Sequence, residues 1–162
     1  MAEDRAERRR RRQVQRAIRR GSFCTLATTS QANRPHVVGV LYAWVDGLLY
    51  VSTLESSVKA RNVRDNGRVA ACIPVRRFPV GPPFNVAFQG EAELCPRADP
   101  RIATLLERKR LKSITSHGEL DDPESGFLII TPGRRVASYG LGVPLVQLLR
   151  DPIHAARSWE VR

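Results

Sequence analysis

Polar and apolar positions change period several times along this chain, and the changes mark its elements. Residues 3–20 carry Val14, Ala17 and Ile18 at helical spacing among arginines, which predicts a helix with one apolar stripe. Gly21 is a natural stop for it, with Arg19 and Arg20 in the last turn. From Ser22 the pattern becomes that of strands. Residues 22–29, 36–45 and 48–53 are strand candidates rich in Val, Leu, Tyr and Trp, joined by a turn at 30–35 and by the hairpin dipeptide Asp46-Gly47. Three successive antiparallel strands exclude a doubly wound βαβ start. A short polar helix follows, capped by Ser56 or Ser57 and ended at Asp65-Asn66-Gly67. Strands are expected again at 68–75 and 84–95; between them Pro79, Gly81, Pro82 and Pro83 preclude regular structure over 76–83. Residues 99–112 read as an amphipathic helix that opens on Asp99-Pro100 and carries Ile102, Leu105 and Leu106 on one side. After a polar connection over 113–125, strands are expected at 126–131 and 135–139 with a turn at Pro132-Gly133, then a short helix at 143–150.

Many strands with helices interspersed, and no regular βα alternation, predict a mainly β (α+β) domain. The expected architecture is a closed or half-open antiparallel barrel of six or seven strands in a Greek-key-like order. The chain divides into a basic helical arm (1–20), a barrel domain (21–142) and a C-terminal extension (143–162).

Charge sharpens this division. The 162 residues carry a formal +11, of which residues 1–20 supply nine arginines against Glu3, Asp4 and Glu7, a net of +6; the other 142 residues carry +5. Such an arm could touch an anionic partner, nucleic acid included, but a solvated helix face is the preferred reading and a nucleic-acid partner is not expected. It has no aromatic residue before Phe23, which disfavours a base-reading module. No apolar run approaches the roughly 20 residues of a membrane span. The basic stretch is not followed by the apolar core of a signal peptide, so a cytoplasmic protein is expected.

Cys24, Cys72 and Cys95 are odd in number and far apart, each within an apolar stretch, so buried reduced thiols are expected rather than a disulfide or zinc site. His36, His117 and His154 are scattered without carboxylates at ligand spacing, and no metal is expected. No nucleophile or acid–base pair stands out, so no catalytic side chain is assigned.

Chemistry concentrates after the third strand, in Tyr50-Val51-Ser52-Thr53-Leu54-Glu55-Ser56-Ser57-Val58-Lys59-Ala60-Arg61-Asn62. A strand ends in hydroxyl residues, a helix opens on serines, and cations follow in its first turns. Free N–H groups and the helix dipole favour an anion there. Ser and Thr hydroxyls can donate to it, and Lys59, expected to be exposed, and Arg61 supply charge. From spacing alone a phosphate site and an ordinary capped helix fit equally well.

The order of segments carries a resemblance. Residues 23–29, the stretch Arg34-Pro35-His36-Val37-Val38-Gly39-Val40-Leu41-Tyr42, residues 49–53, residues 57–70 and Gln89-Gly90-Glu91-Ala92 together resemble the pyridoxamine-phosphate-oxidase-like split-barrel superfamily. That superfamily includes the flavin and deazaflavin oxidoreductases of actinobacteria. The resemblance spans about residues 14–140. It implies a homodimer with flavin mononucleotide (FMN), or alternatively the deazaflavin coenzyme F-420, at the subunit interface, and hydride transfer to or from a small molecule. It implies that Val38, Gly39 and Val40 lie along the ring system and that Ser52 and Thr53 bond the cofactor. Ser57 and Lys59 would hold its phosphate with help from Arg61 or Asn62, and residues near Gln89 or in 134–140 would complete the site from the partner. A small residue at Gly39 would let a flat ring approach the strand. Val58 stands where the oxidases proper usually have Arg, and Tyr139-Gly140-Leu141-Gly142-Val143-Pro144 replaces their arginine-rich C-terminal signature, so pyridoxamine phosphate oxidation itself is not expected. The superfamily also has haem-binding and non-catalytic members, which is the alternative the resemblance leaves open.

Overall fold

Helix α1 (Ala2–Arg20) buries Val14 and Ile18, one turn apart, and its last turns are part of the main core. Tyr42 fixes its end. The Tyr42 hydroxyl donates to the Ile18 carbonyl at 2.7 Å and occupies the space that a side chain at Gly21 would fill. Gly21 N–H closes back on the Ala17 carbonyl at 3.0 Å. The computed structural model describes residues 2–75, 84–141, 143, 146, 150, 151 and 156–160. The irregular segment expected at 76–83 and most of the helix expected at 143–150 lie outside the described residues.

Strands β1 (Phe23–Thr29) and β2 (Pro35–Leu41) pair antiparallel, with Cys24 opposite Val40 and Thr28 opposite His36. The strand expected at 36–45 is broken at Tyr42, and β3 (Ala43–Val45) pairs instead with β4 (Leu48–Leu54). The break has a physical reason: Tyr42 turns its ring into the core and its N–H to the Ser22 carbonyl, so the chain passes there from one end of the sheet to the other. Asp46 and Gly47 both take positive φ, 50° and 90°, as a two-residue turn matched to strand twist requires.

Helix α2 (Val58–Asn66) ends at Gly67 (φ 63°) and leads into β5 (Arg68–Val75). Strand β6 (Phe84–Pro96) and helix α3 (Pro100–Glu107) follow, the latter capped by Asp99. The helix expected to reach residue 112 stops five residues earlier. Lys109 adopts φ 56°, its N–H bonds the Leu106 carbonyl and Arg110 N–H bonds that of Leu105, a Schellman closure that folds Leu111 back into the apolar cluster beneath α3. A 3₁₀ turn (Lys112–Ile114) adds Ile114 to that cluster.

The two last strands expected are one, β7 (Ser125–Tyr139). The Pro132-Gly133 turn is absorbed as a sheet irregularity: Gly90 pairs with Pro132 but Phe88 with Val136, and Gly90 and Gly133 allow the two backbones to approach where a Cβ could not fit. Strand β8 (Ala156–Glu160), not foreseen, pairs with β7.

The sheet runs β2-β1-β5-β6-β7-β4-β3 with β8 beside β7, all pairs antiparallel. Its two end strands are separated in sequence by one residue, so the sheet curls into a split β-barrel. Leu26, Leu49, Val51, Ile73, Val86 and Ile130 fill the interior. A second cluster, with Tyr50, Phe127 and Ile129, lies on the other face beneath α3.

Candidate functional site

The end of β4 and the start of α2 form the polar centre. Ser57 N–H turns back to the Leu54 carbonyl at 3.0 Å, which brings Ser57 into N-cap position (φ −67°, ψ 154°). Its Oγ accepts the Ala60 N–H at 3.3 Å and its carbonyl accepts the Arg61 N–H at 3.0 Å. The N–H groups of Val58 and Lys59 therefore have no acceptor within the helix. Thr53, buried on the inner face of β4, places Oγ1 2.9 Å from Ser57 Oγ and 3.2 Å from the Leu54 carbonyl. The structure thus joins Thr53 to Ser57 directly. Ser52 is half-buried on the opposite face of β4, with Tyr50, and does not point the same way as Thr53.

Lys59 corrects an expectation. It is half-buried, not exposed, and burial lowers its pKa below the ordinary lysine value. Among the described residues no carboxylate lies within ion-pair distance of it. The acid nearest in sequence, Glu55, faces Arg64 at 3.8 Å instead. Two helix N–H groups without an acceptor in the helix, a hydroxyl pair and a partly desolvated lysine thus belong to one helix start, a combination whose chemistry suits an anion.

The neighbouring candidates divide. Arg61 is exposed beside this site. Asn62 is buried and its Nδ2 donates to Thr28 Oγ1 at 3.0 Å, so its amide braces α2 against β1 rather than facing outward. Asn66 ties the other end of α2 to the Thr29 carbonyl at 2.7 Å. On β2, Val38 packs against the core and Val40 lies within it, so neither side chain faces out and only their backbone is available on the outer face. Gly39 does face out, opposite Thr25, and the Phe23 ring already fills the space its missing side chain leaves, 2.9 Å from the Cβ position. Exposed Phe23, Val37 and Leu41 extend this apolar strip.

Gln89 is not brought to the α2 start. It is exposed on the outer face of β6, beside a shallow hollow of about 440 Å3 that Thr25, Ala27, Ala70, Cys72, Ala87 and Ala137 line together with Arg135. This hollow was missed from the sequence, although small residues at alternate positions of β1 and β5 were its signal. It also corrects the expectation of three buried thiols: all are free, Cys24 and Cys95 are buried, but Cys72 is only half-buried at the hollow. Burial pushes the Cys24 thiol up to about 12 and the Cys95 thiol to about 11, which leaves both unreactive. His36 Nδ1, on the inner face of β2, is buried with no partner.

No metal-holding cluster of His, Cys, Asp or Glu occurs among the described residues, and none of their helices is long and apolar enough to cross a membrane.

Comparison with known proteins agrees with this fold. The fold matches a haem-storage protein from Vibrio cholerae (TM-score 0.65, 15% identity, 76% of this chain and 89% of that one). It matches a FAD-binding protein from Mesorhizobium loti (0.61, 22%, 76% and 87%) and an F-420 reductase (0.55, 22%, 73% and 91%). No curated protein matches by sequence. The sequence profile described as pyridoxamine 5'-phosphate oxidase matches residues 11–135, most of the barrel with the second half of α1. With that match over most of its length and the split-barrel fold, the chain belongs to the pyridoxamine 5'-phosphate oxidase family.

Proposed function

We propose that this protein is an oxidoreductase that binds FMN, or alternatively the deazaflavin coenzyme F-420, and transfers hydride to or from a small molecule as a cytoplasmic homodimer. The observation that carries the reading is Lys59: half-buried, without a carboxylate, and beside the free N–H groups of the α2 start. Both cofactors carry a phosphate, and these residues fit one. Lys59 and the Val58 and Lys59 amides would hold it. The Thr53–Ser57 hydroxyl pair would turn one proton to it, and Arg61 would add charge from the exposed side. Asn62 acts on the site by fixing α2 to β1. The cofactor supplies the hydride chemistry when bound; the protein binds, orients and excludes water. That division suits a site with no evident acid–base pair.

The outer strip at Gly39 fits a flat ring, which would displace or stack on the Phe23 ring. The hollow lined by Ala70, Cys72 and Ala87, and the exposed Val37 and Leu41, suit burial against a second copy of the chain. In such a dimer Gln89 and Arg135 could reach the other copy's site, which a single chain does not complete. An F-420 reductase and a FAD-binding protein among the similar folds support a flavin-type ligand.

Fluorescence titration of the apo-protein with FMN and with coenzyme F-420, alongside its sedimentation, tests this reading. Tight binding of either by a dimer is expected. Failure of both would remove the oxidoreductase reading and leave the fold.

A second reading is haem binding. It rests on the buried, unpartnered His36 Nδ1 at the β2 inner face and on the haem-storage protein among the similar folds. A Soret band with added haemin that His36→Ala abolishes would favour it over the first.

A further inference from the structure

The cationic face of α1 is not used by the cofactor site. Arg5, Arg9, Arg12, Arg16 and Arg19 recur at intervals of four, three, four and three, which places them on one stripe of the helix. All five are exposed, and Arg20 flanks them. The stripe lies opposite the face that carries Val14 and Ile18 into the core. Among the described residues none of these arginines has a carboxylate within ion-pair distance. Glu7, on the docked side, is spent on Arg11 at 2.9 Å.

We propose that this stripe is a binding surface for the phosphate backbone of double-stranded nucleic acid. Three features favour that partner. Adjacent arginines along the stripe repel one another, so the row is costly unless an anionic polymer neutralises it. Guanidinium groups match phosphate oxygens two at a time. The C-terminal turns of the helix are anchored by the Tyr42–Ile18 bond and the docked Val14 and Ile18, so the row projects from the barrel along one continuous helix. From Arg5 to Arg19 it is roughly 21 Å long at 1.5 Å per residue, about the span of six phosphates along one strand. A bilayer is the poorer partner. Membrane-surface helices insert an apolar face, and the apolar face of α1 is already buried in the barrel. The stripe carries no aromatic residue, so binding is expected to be indifferent to sequence.

The test uses the full chain and a labelled duplex of roughly 20 base pairs, followed by anisotropy between about 50 and 200 mM salt. Five phosphate contacts give a log–log slope of about −4.5, a loss of about 500-fold across that range. The triple variant R9Q/R12Q/R16Q should bind more weakly with a slope near about −2. R68Q/R108Q, which removes exposed arginines elsewhere, should leave the slope unchanged. The proposal is overturned by absence of duplex binding at the lowest salt, by an unchanged slope in the triple variant, or by equal losses in both variants. Tighter binding to phosphatidylserine vesicles than to the duplex at the same salt would likewise reassign the stripe and overturn it.

Discussion

Replacing Lys59 by Met separates a ligand-binding lysine from a structural one, because the two roles change stability and affinity in opposite ways. Met keeps the apolar stem of the side chain and removes the ammonium. In the native chain that ammonium is half-buried without a carboxylate, and its pKa lies below the 10.5 of an ordinary lysine. The unfolded chain, with its pKa near the ordinary value, holds the proton more tightly. Between the two pKa values the unfolded state therefore binds more protons, and stability rises with pH; below the folded pKa the full penalty of burying the charge is present. Lys59→Met removes that penalty. At neutral pH the apo-protein should be as stable as the wild type to within about 0.5 kcal/mol, or more stable. FMN affinity should move the other way. A charge-assisted hydrogen bond is worth about 1.5–3 kcal/mol, or about 10- to 150-fold in Kd. The free N–H groups of α2 remain, so binding weakens without vanishing. Above the folded pKa of Lys59 the wild type also loses its charge, and the affinity ratio of the two proteins should narrow as pH rises. Binding in that window should take up protons, because the phosphate restores the charged form. Urea unfolding measures the first quantity, and calorimetric titration in two buffers of different ionisation enthalpy measures the others. Equal affinity of wild type and variant would remove Lys59 from the site. A joint fall in stability and affinity would make it a structural residue.

Three further outcomes follow from the packing. Tyr42→Phe should cost about 1–3 kcal/mol in urea unfolding, since it strips the buried Ile18 carbonyl of its 2.7 Å partner and loosens the end of α1. Gly90→Ala should cost about 1–3 kcal/mol in thermal unfolding, because its Cβ would meet the Thr131 carbonyl and both sides of that contact are backbone. In the native protein a thiol-specific disulfide reagent should label Cys72 alone, while Cys24 and Cys95, with pKa values near 12 and 11, react only after unfolding. Cys72 labelling that slows as protein concentration rises would place a second chain over the hollow, and concentration-independent labelling would place it elsewhere.

The strands were legible because each obeys a local rule. Phe23–Thr29 is rich in residues that suit a strand, and burial alternates along it, with Cys24, Leu26 and Thr28 inward. Asp46-Gly47 needed only two positive φ values, which those residue types tolerate. The misplaced boundaries arose where a distant contact outweighed local preference. Residues 99–112 look like one amphipathic helix, yet Leu111 buries itself more fully after a left-handed turn at Lys109 than by continuing the helix. No propensity scale marks a lysine for that conformation. Pro132-Gly133 resembles a chain reversal, but here Pro132 pairs with Gly90, and Gly90 against the Thr131 carbonyl and Gly133 against the Gln89 carbonyl let the two backbones approach as a sheet irregularity.

The candidate site divides along the same line. Ser57 and Lys59 lie two residues apart, Thr53 reaches Ser57 across four, and all three could be named because one turn of helix sets their spacing. The brace from Asn62 to Thr28 crosses 34 residues, and the hollow on the outer face draws on β1, β5, β6 and β7; both depend on register, which the chain fixes only on folding. Lys59 is the instructive case. Its identity pointed to an anion, but its residue type also suggested exposure, and exposure would have left a solvated cation with little to say about function. What makes it informative is burial without a carboxylate. A chain selected for stability alone would place an acid within reach of it, and Glu55 is only four residues away. That Glu55 faces Arg64 instead leaves Lys59 with an unmet charge, and an unmet, half-buried charge is mildly destabilising until a ligand arrives to meet it. The cost of the charge in the free protein and part of the affinity for an anion thus share one cause.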